Sequence, residues 1–220
     1  MNLHNFVELC MCPAPLGNEH TAKQLIRSML PNGLEISEDV AGSAIVRKPG
    51  EKPGLTFFAS LSQPVVLVTG KKSDGAWELQ PLGTGKTLEP MNGWKVMDSG
   101  GAQAKLEVKD GALRLTEDRG VQIGSLLTRQ PDWTQDVLSV SCAGIEDRVG
   151  CWLLTELLRE MPDVKAEITC IFLAQEQHCT KVAELAMNET DAAVAIRLAS
   201  AKVNDINLTG APVNAGGGPV

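Results

Sequence analysis

Apolar residues recur at helical spacing near both ends of the chain and at alternating spacing through its middle. Residues 3–11 place Leu3, Phe6, Val7 and Cys10 on one side of a short helix, which Pro13 and Pro15 stop. A second helix restarts in "LGNEHTAKQLIRSML", with Asn18 as its N-cap, Glu19 in the first turn, Ala22, Leu25, Ile26 and Met29 on one face, and Pro31 at its end. "GLEISEDVAGSAIVRKPG" and "GLTFFASLSQPVVLV" read as strands punctuated by Gly and Pro. Towards the other end, a strand over Val137–Ser141 precedes a helix with Val149, Trp152, Leu153 and Leu157 along one face. A strand over 166–174, a helix near 178–187 and a strand over 192–198 follow.

Strands alternating with helices at this spacing predict an α/β fold containing parallel β-α-β units. Residues 63–131 differ. Short alternating runs such as "AWELQPL", "AKLEVKDGALRLTE" and "VQIGSLLTR" are separated by Gly-rich turns, including "SDGA" and "KDGA". The expected organisation is a discontinuous α/β domain, 1–62 with 132–220, interrupted by an all-β insert over 63–131. In parallel sheets ligands sit beyond the carboxyl ends of the strands, and Glu146, Glu176 and Arg197 fall at or just after such ends. These three residues are expected to converge on one crevice.

Composition narrows the partners. The chain has 220 residues, ample for a core at 43% hydrophobic content, and a net charge of -7. That balance leaves no broad basic face, so nucleic acid and anionic membrane are not expected as main partners. No basic start followed by an apolar stretch marks a signal peptide, and no run reaches the length of a membrane span, so the expected location is the cytoplasm. The six cysteines lie mostly in apolar segments without disulfide-framework spacing and read as reduced core residues, with Cys10 and Cys12 a weak metal motif. The chain contains no Tyr, so no phenol can take part in its chemistry.

Several short motifs carry candidate chemistry. "PLGTGKT" at 81–87 lacks the glycine that a phosphate loop needs at position 80, which is Gln80, and it lies among hairpins; a β-turn explains it. His178 and Cys179 are adjacent on the expected helix and cannot face one another as base and nucleophile. "GIEDRVGCWLLTELL" begins a helix with two acids, which the helix dipole alone would favour and which a cation would also explain. "FLAQEQHC" ends a buried strand with Glu176, which could carry a proton or hold a metal, beside Gln177, which can do neither.

Taken in order, "LCMCPAPLGNEHTAKQLI", "GIEDRVGCWLLTELL", "IFLAQEQ", "AAVAIRLA" and "NAGGGPV" resemble successive landmarks of the tetrahedral, or glutamyl, aminopeptidases, family 42 of the metallopeptidases. The resemblance spans the whole chain. It implies a three-layer α/β/α exopeptidase-like domain with a mixed, largely parallel sheet and a small barrel-like insert used for homo-oligomerisation. It also implies a hydrolase with two divalent ions, zinc or cobalt. On that resemblance the ligand-shell positions fall on Ser60, Ser62, Glu146, Gln177 and Arg197, the general base on Glu176, and Asp147 and Arg148 on retained positions of the helix start. A final His ligand belongs to a C-terminal region absent from this sequence.

Two divalent ions held roughly 4 Å apart need several carboxylates and imidazoles to offset their charge and dehydration. Serine, glutamine and arginine do not supply these. The expectation is therefore a chain that binds no metal and has lost catalysis, kept for binding peptides or a related active subunit, or for assembly with itself. Arg197 is expected to replace the ions by pairing with Glu146 or Glu176, with Ser60, Ser62 and Gln177 hydrogen-bonded around it, and the Glu146–Asp147 peptide bond is expected to be trans. The alternative is an active aminopeptidase that uses Glu176 as base and one ion held by Glu146, Asp147 and His178.

Overall fold

Two apolar stretches of the chain, 54–60 and 166–173, lie side by side in the middle of a sheet. A computed structural model describes residues 3–83, 88–137, 139–161, 164–179 and 181–200. Helices α1 (Leu3–Met11) and α2 (His20–Met29) come first. Strands β1 (Glu35–Glu38), β2 (Ala44–Lys48) and β3 (Glu51–Ser60) follow. The insert contributes β4 (Val65–Lys71), β5 (Trp77–Leu82), β6 (Lys95–Met97), β7 (Gln103–Lys109), β8 (Ala112–Arg119) and β9 (Leu126–Arg129). The chain then forms β10 (Thr134–Gln135), β11 (Val140–Ser141), α3 (Ile145–Glu160), β12 (Ala166–Leu173), α4 (Lys181–Met187) and β13 (Ala192–Leu198).

The main sheet runs β1-β2-β12-β3-β13. Strands β12 and β13 flank β3 in parallel, whereas β2 pairs antiparallel with both β12 and β1, so the sheet is mixed. Strand β12 is buried almost end to end: Cys170–Leu173 form a continuous apolar run, and the polar Glu167 and Thr169 are buried with them. One face packs Leu55, Phe57, Ala59, Ile168, Cys170 and Phe172 under α1, α2 and α3. The other packs Ile45, Phe58, Ile171 and Leu173 under Ala183, Ala186 and Met187 of α4. This is the expected α/β/α layering. In α2, Ala22 and Ile26 point inward as their spacing predicts, but the residue preceding the helix is Glu19 rather than Asn18 and it makes no capping bond. In α1, Leu3 falls on the exposed side.

The insert forms a six-stranded antiparallel sheet in the order β5-β4-β9-β6-β7-β8, curled into a nearly closed barrel. Strands β5 and β8 flank the remaining gap, bridged where Trp77 Nε1 donates to Asp118 Oδ2 at 2.9 Å. Its core is apolar, built from Val66, Val68, Met91, Val96, Leu106 and Leu127 with smaller neighbours. The Asp110-Gly111 hairpin turn holds both residues at positive φ, 53° and 71°, the backbone that a two-residue turn between twisted strands demands. The Gly85-Lys86-Thr87 triplet lies outside the described residues.

The strand expected over Val137–Ser141 does not join the main sheet. Only Val140 and Ser141 pair, with Thr134 and Gln135, in a separate two-stranded ladder. The cause is local: the Asp136 side chain accepts from both Ser139 N and Ser139 Oγ at 2.9 Å, turning the chain back on itself and leaving Val137 97% exposed. Among the described residues no helix is long and apolar enough to cross a membrane.

Candidate functional site

Three segments meet at the carboxyl ends of β3, β12 and β13: residues 60–63, the first turn of α3, and the turn after β12. The sequence "AGIEDRVG" forms its helix because Gly144, at φ 71°, takes the left-handed conformation that reverses the chain. A Cβ at Gly144 would also overlap the Gln63 amide. Gly150 lets α3 lie directly on the sheet: a Cβ there would stand 2.9 Å from Ala59 Cβ and 3.0 Å from Leu198 O. The Arg-x-Gly pattern thus has a packing cause at its glycine.

Arg148 has a structural cause too. It is fully buried, with Nη1 donating to Leu61 O at 2.6 Å and Nη2 to Cys12 O at 3.2 Å. The guanidinium ties the first turn of α3 to the end of β3 and to the segment after α1. Beside it, Asp147 is buried and accepts at 2.9 Å from Gln177 Nε2. Burial, the leading cause, pushes the Asp147 carboxyl up to about 7; the Glu146 and Glu176 charges push the same way, while Arg148 and the Gln177 hydrogen bond oppose them.

Arg197, near the end of β13, donates from Nη2 to Glu176 Oε1 at 2.7 Å. Glu176 is 8% exposed at its side chain and Arg197 51%, so a buried carboxylate is covered from the solvent side by a guanidinium. Of the two acids expected as partners for Arg197, the pair therefore involves Glu176. Glu146 points outward and is exposed. The Glu146–Asp147 bond is trans.

The expected ring of hydrogen bonds around Arg197 does not form. Gln177 turns to Asp147 instead, because a neutral amide donor satisfies a buried carboxylate whose other neighbours include two acids. Ser60 Oγ and Ser62 Oγ have no partner at all, and neither do Asp147 Oδ2 and Arg148 Nε. His178 lies exposed in the turn after Glu176 rather than in a helix, since α4 begins only at Lys181. Cys179 is likewise exposed, and burial pushes the Cys151 and Cys170 thiols up to about 12, a range in which they are inert at neutral pH.

Two residues of this region escaped the sequence reading. Glu19, 5% exposed, accepts through Oε1 from Gly17 N at 3.0 Å and from Gln175 N at 3.1 Å, anchoring the turn that carries Glu176. Gln63 accepts from Ala14 N through Oε1 and receives the close approach of Gly144. The sequence marks Glu19 only as an acid of the helix's first turn, which does not point to the turn it anchors; for Gln63 no local signal existed. The insert touches the site as well, since a Cβ on Gly83 would stand 2.9 Å from Gln177 Cβ.

Among the described residues no group of three or more His, Cys, Asp or Glu side chains is placed to hold a metal ion. The side chains that do converge, two arginines, an amide and two hydroxyls with two buried acids, do not fit a pair of divalent ions. Such ions need an excess of anionic and imidazole donors.

The sequence matches no protein-family model and no curated protein sequence. The fold does match solved structures. A TET aminopeptidase from a marine-sediment thaumarchaeon superposes with a TM-score of 0.82 at 15% identity, covering 96% of this chain and 69% of that one. An aminopeptidase of Desulfurococcus kamchatkensis gives 0.77 at 16% identity, covering 94% and 64%. The TET1 peptidase of Pyrococcus horikoshii, which assembles into a tetrahedron or a large octahedral shell, gives 0.76 at 18% identity, covering 94% and 72%. The chain thus spans about two thirds of the length of these structures. Over nearly all of its own length, insert included, this chain has the fold of the tetrahedral aminopeptidases.

Proposed function

We propose that this chain is an aminopeptidase-like protein whose pocket no longer holds two divalent ions and that acts by binding or assembly rather than by peptide hydrolysis. The observation that carries this reading is the 2.7 Å pair between Arg197 and Glu176. Glu176 occupies the position that the family resemblance assigns to the general base, and a base must be free to take a proton from water. Here its carboxylate is held by a fixed positive charge. Arg197 itself stands where the resemblance places a carboxylate ligand, and Gln177 where it places another. Both changes remove anionic charge from a site that would need it, and one adds the opposite sign, so the substitutions support one another.

The assembly part of the reading rests on the insert, whose barrel accompanies the α/β domain in the solved relatives, among them one that forms closed shells. Peptides or a related active subunit remain the partners suited to this chain.

The deciding experiment is metal analysis of the purified protein, followed by a leucine- or glutamate-anilide assay with added zinc or cobalt. The expected result is substoichiometric metal and no turnover. Stoichiometric ions with turnover abolished by Glu176→Gln overturn the proposal and establish instead an active aminopeptidase. Light scattering tests assembly separately: a stable monomer removes the homo-oligomer.

A further inference from the structure

The outer face of the barrel carries an arrangement that the site at the strand ends does not explain. Lys95 on β6 and Lys105 on β7 are direct cross-strand partners. Both are exposed, on a chain whose net charge is -7. Like charges placed directly opposite one another on a sheet destabilise it. Nothing in the barrel's apolar core requires them. One register step further along, Arg119 of β8 stands opposite Gln103 of β7 and adds a third cation. Lys95 and Arg119 have no acidic partner among the described residues, and Lys105 reaches only the exposed Glu117, at 3.8 Å.

These side chains line three neighbouring hollows that share residues. A hollow of about 590 Å³ beside Trp94, Lys95 and Arg129 shares Lys95 and Gln130 with a second of about 330 Å³. A third, of about 470 Å³, shares Lys105 and Glu117 with the second. In the first, the Arg129 guanidinium lies 5.4 Å from the centre of the Trp94 ring and 3.5 Å from Asp132. That hollow offers an aromatic surface beside a cation already partly neutralised.

We propose that the outer face of β6, β7 and β8 is a docking surface for an acidic polypeptide segment, with Lys95, Lys105 and Arg119 receiving its carboxylates. An anion between Lys95 and Lys105 turns a repulsive pair into an attractive trio, which gives the opposed lysines a role. The same lining separates a peptide from a nucleic acid. Glu107, Glu117 and Asp132 interrupt the cations, so an evenly charged phosphate backbone would meet repulsion along the hollows. A peptide can set its acids opposite the lysines and neutral residues opposite Glu107 and Glu117. The surface lies on the insert and does not depend on the metal content of the site at the strand ends.

The test uses the full chain and a fluorescein-labelled peptide of alternating Glu and Ser, read by anisotropy. The peptide is expected to bind at low ionic strength, with affinity falling as salt is added. Lys95→Gln combined with Lys105→Gln is expected to weaken binding by roughly tenfold or more. Because both residues are exposed, the unfolding midpoint of the double variant, measured alongside, is expected to stay at or above that of the parent. The proposal is overturned if the peptide does not bind, if it binds the double variant equally well, or if a labelled oligothymidylate of equal charge binds the parent more tightly. That last outcome makes nucleic acid the occupant.

Discussion

The two larger sheets of this protein solve the burial of polar groups in opposite ways. The barrel keeps its interior apolar and puts its charges outside, where an ion pair such as Lys105–Glu117, with both side chains exposed, contributes little. The ends of β3, β12 and β13 instead bury Asp147, Arg148 and Glu176 and hold them through a few specific bonds. Buried charges destabilise unless they are paired, so each bond there matters more than its geometry alone suggests. A region built in this way tolerates loss of a partner badly, whereas an apolar barrel tolerates surface change well.

Substitutions can break that contrast, and the largest effect is expected at Arg148. Arg148→Ala removes the donor to Leu61 O and Cys12 O and leaves Asp147 without its nearest cation; a loss of about 3–5 kcal/mol in urea unfolding is expected. If Arg148→Leu proved as stable as the parent, the guanidinium would be dispensable as a tie. In the barrel the sensitive position is apolar: Leu106, fully buried, is expected to cost about 2–4 kcal/mol when changed to Ala.

Asp147 gives a pH-dependent signature that the barrel lacks. Its folded value of about 7 lies above the ordinary 3.8, so folding favours the protonated acid. This contribution is fully present below about pH 4 and is lost as the pH rises through about 7, a few kcal/mol in all. Asp147→Asn is expected to flatten that part of the stability profile in denaturant titrations between about pH 4 and 7; an unchanged slope would show that Asp147 is charged throughout. Arg197→Ala, which uncovers the Glu176 carboxylate, is expected to cost about 1–2 kcal/mol, since Arg197 is half in solvent and water replaces part of its bond. The smallest effect belongs to the barrel surface, where Lys95→Ala is expected to raise stability by roughly a few tenths of a kcal/mol by relieving the opposed lysines.

The architecture was legible wherever periodicity was strong. Strand β13 occupies the expected 192–198, β12 ends one residue short of its expected end, and the Asp-Gly turns mark two hairpins of the barrel. The failures came where side chains override a pattern: Asp136 and Ser139 fold "DVLS" into a turn, and the turn at Gln175–His178 delays α4 to Lys181. At the site, a pairing of Arg197 with one of two acids followed from the family resemblance, but the choice of Glu176 over Glu146 did not, because it depends on Glu146 facing solvent. The partnering of Gln177 with Asp147 did not follow either, because it depends on how deeply Asp147 is buried, which spacing does not encode. The orphaned hydroxyls of Ser60 and Ser62 were equally unreadable, since a sequence lists donors but not their distances.

The contact between Gly83 and Gln177 has a mechanical consequence. Gly83 of the barrel rests on the residue next to Glu176, with no room for even a methyl group between them. Any load that tilts the barrel, such as a neighbouring subunit or a bound segment, bears on the same short turn that sets the reach between Glu176 and Arg197. A bulkier side chain at position 83 would act as a wedge, prying that turn outward from a distance along the chain of more than ninety residues.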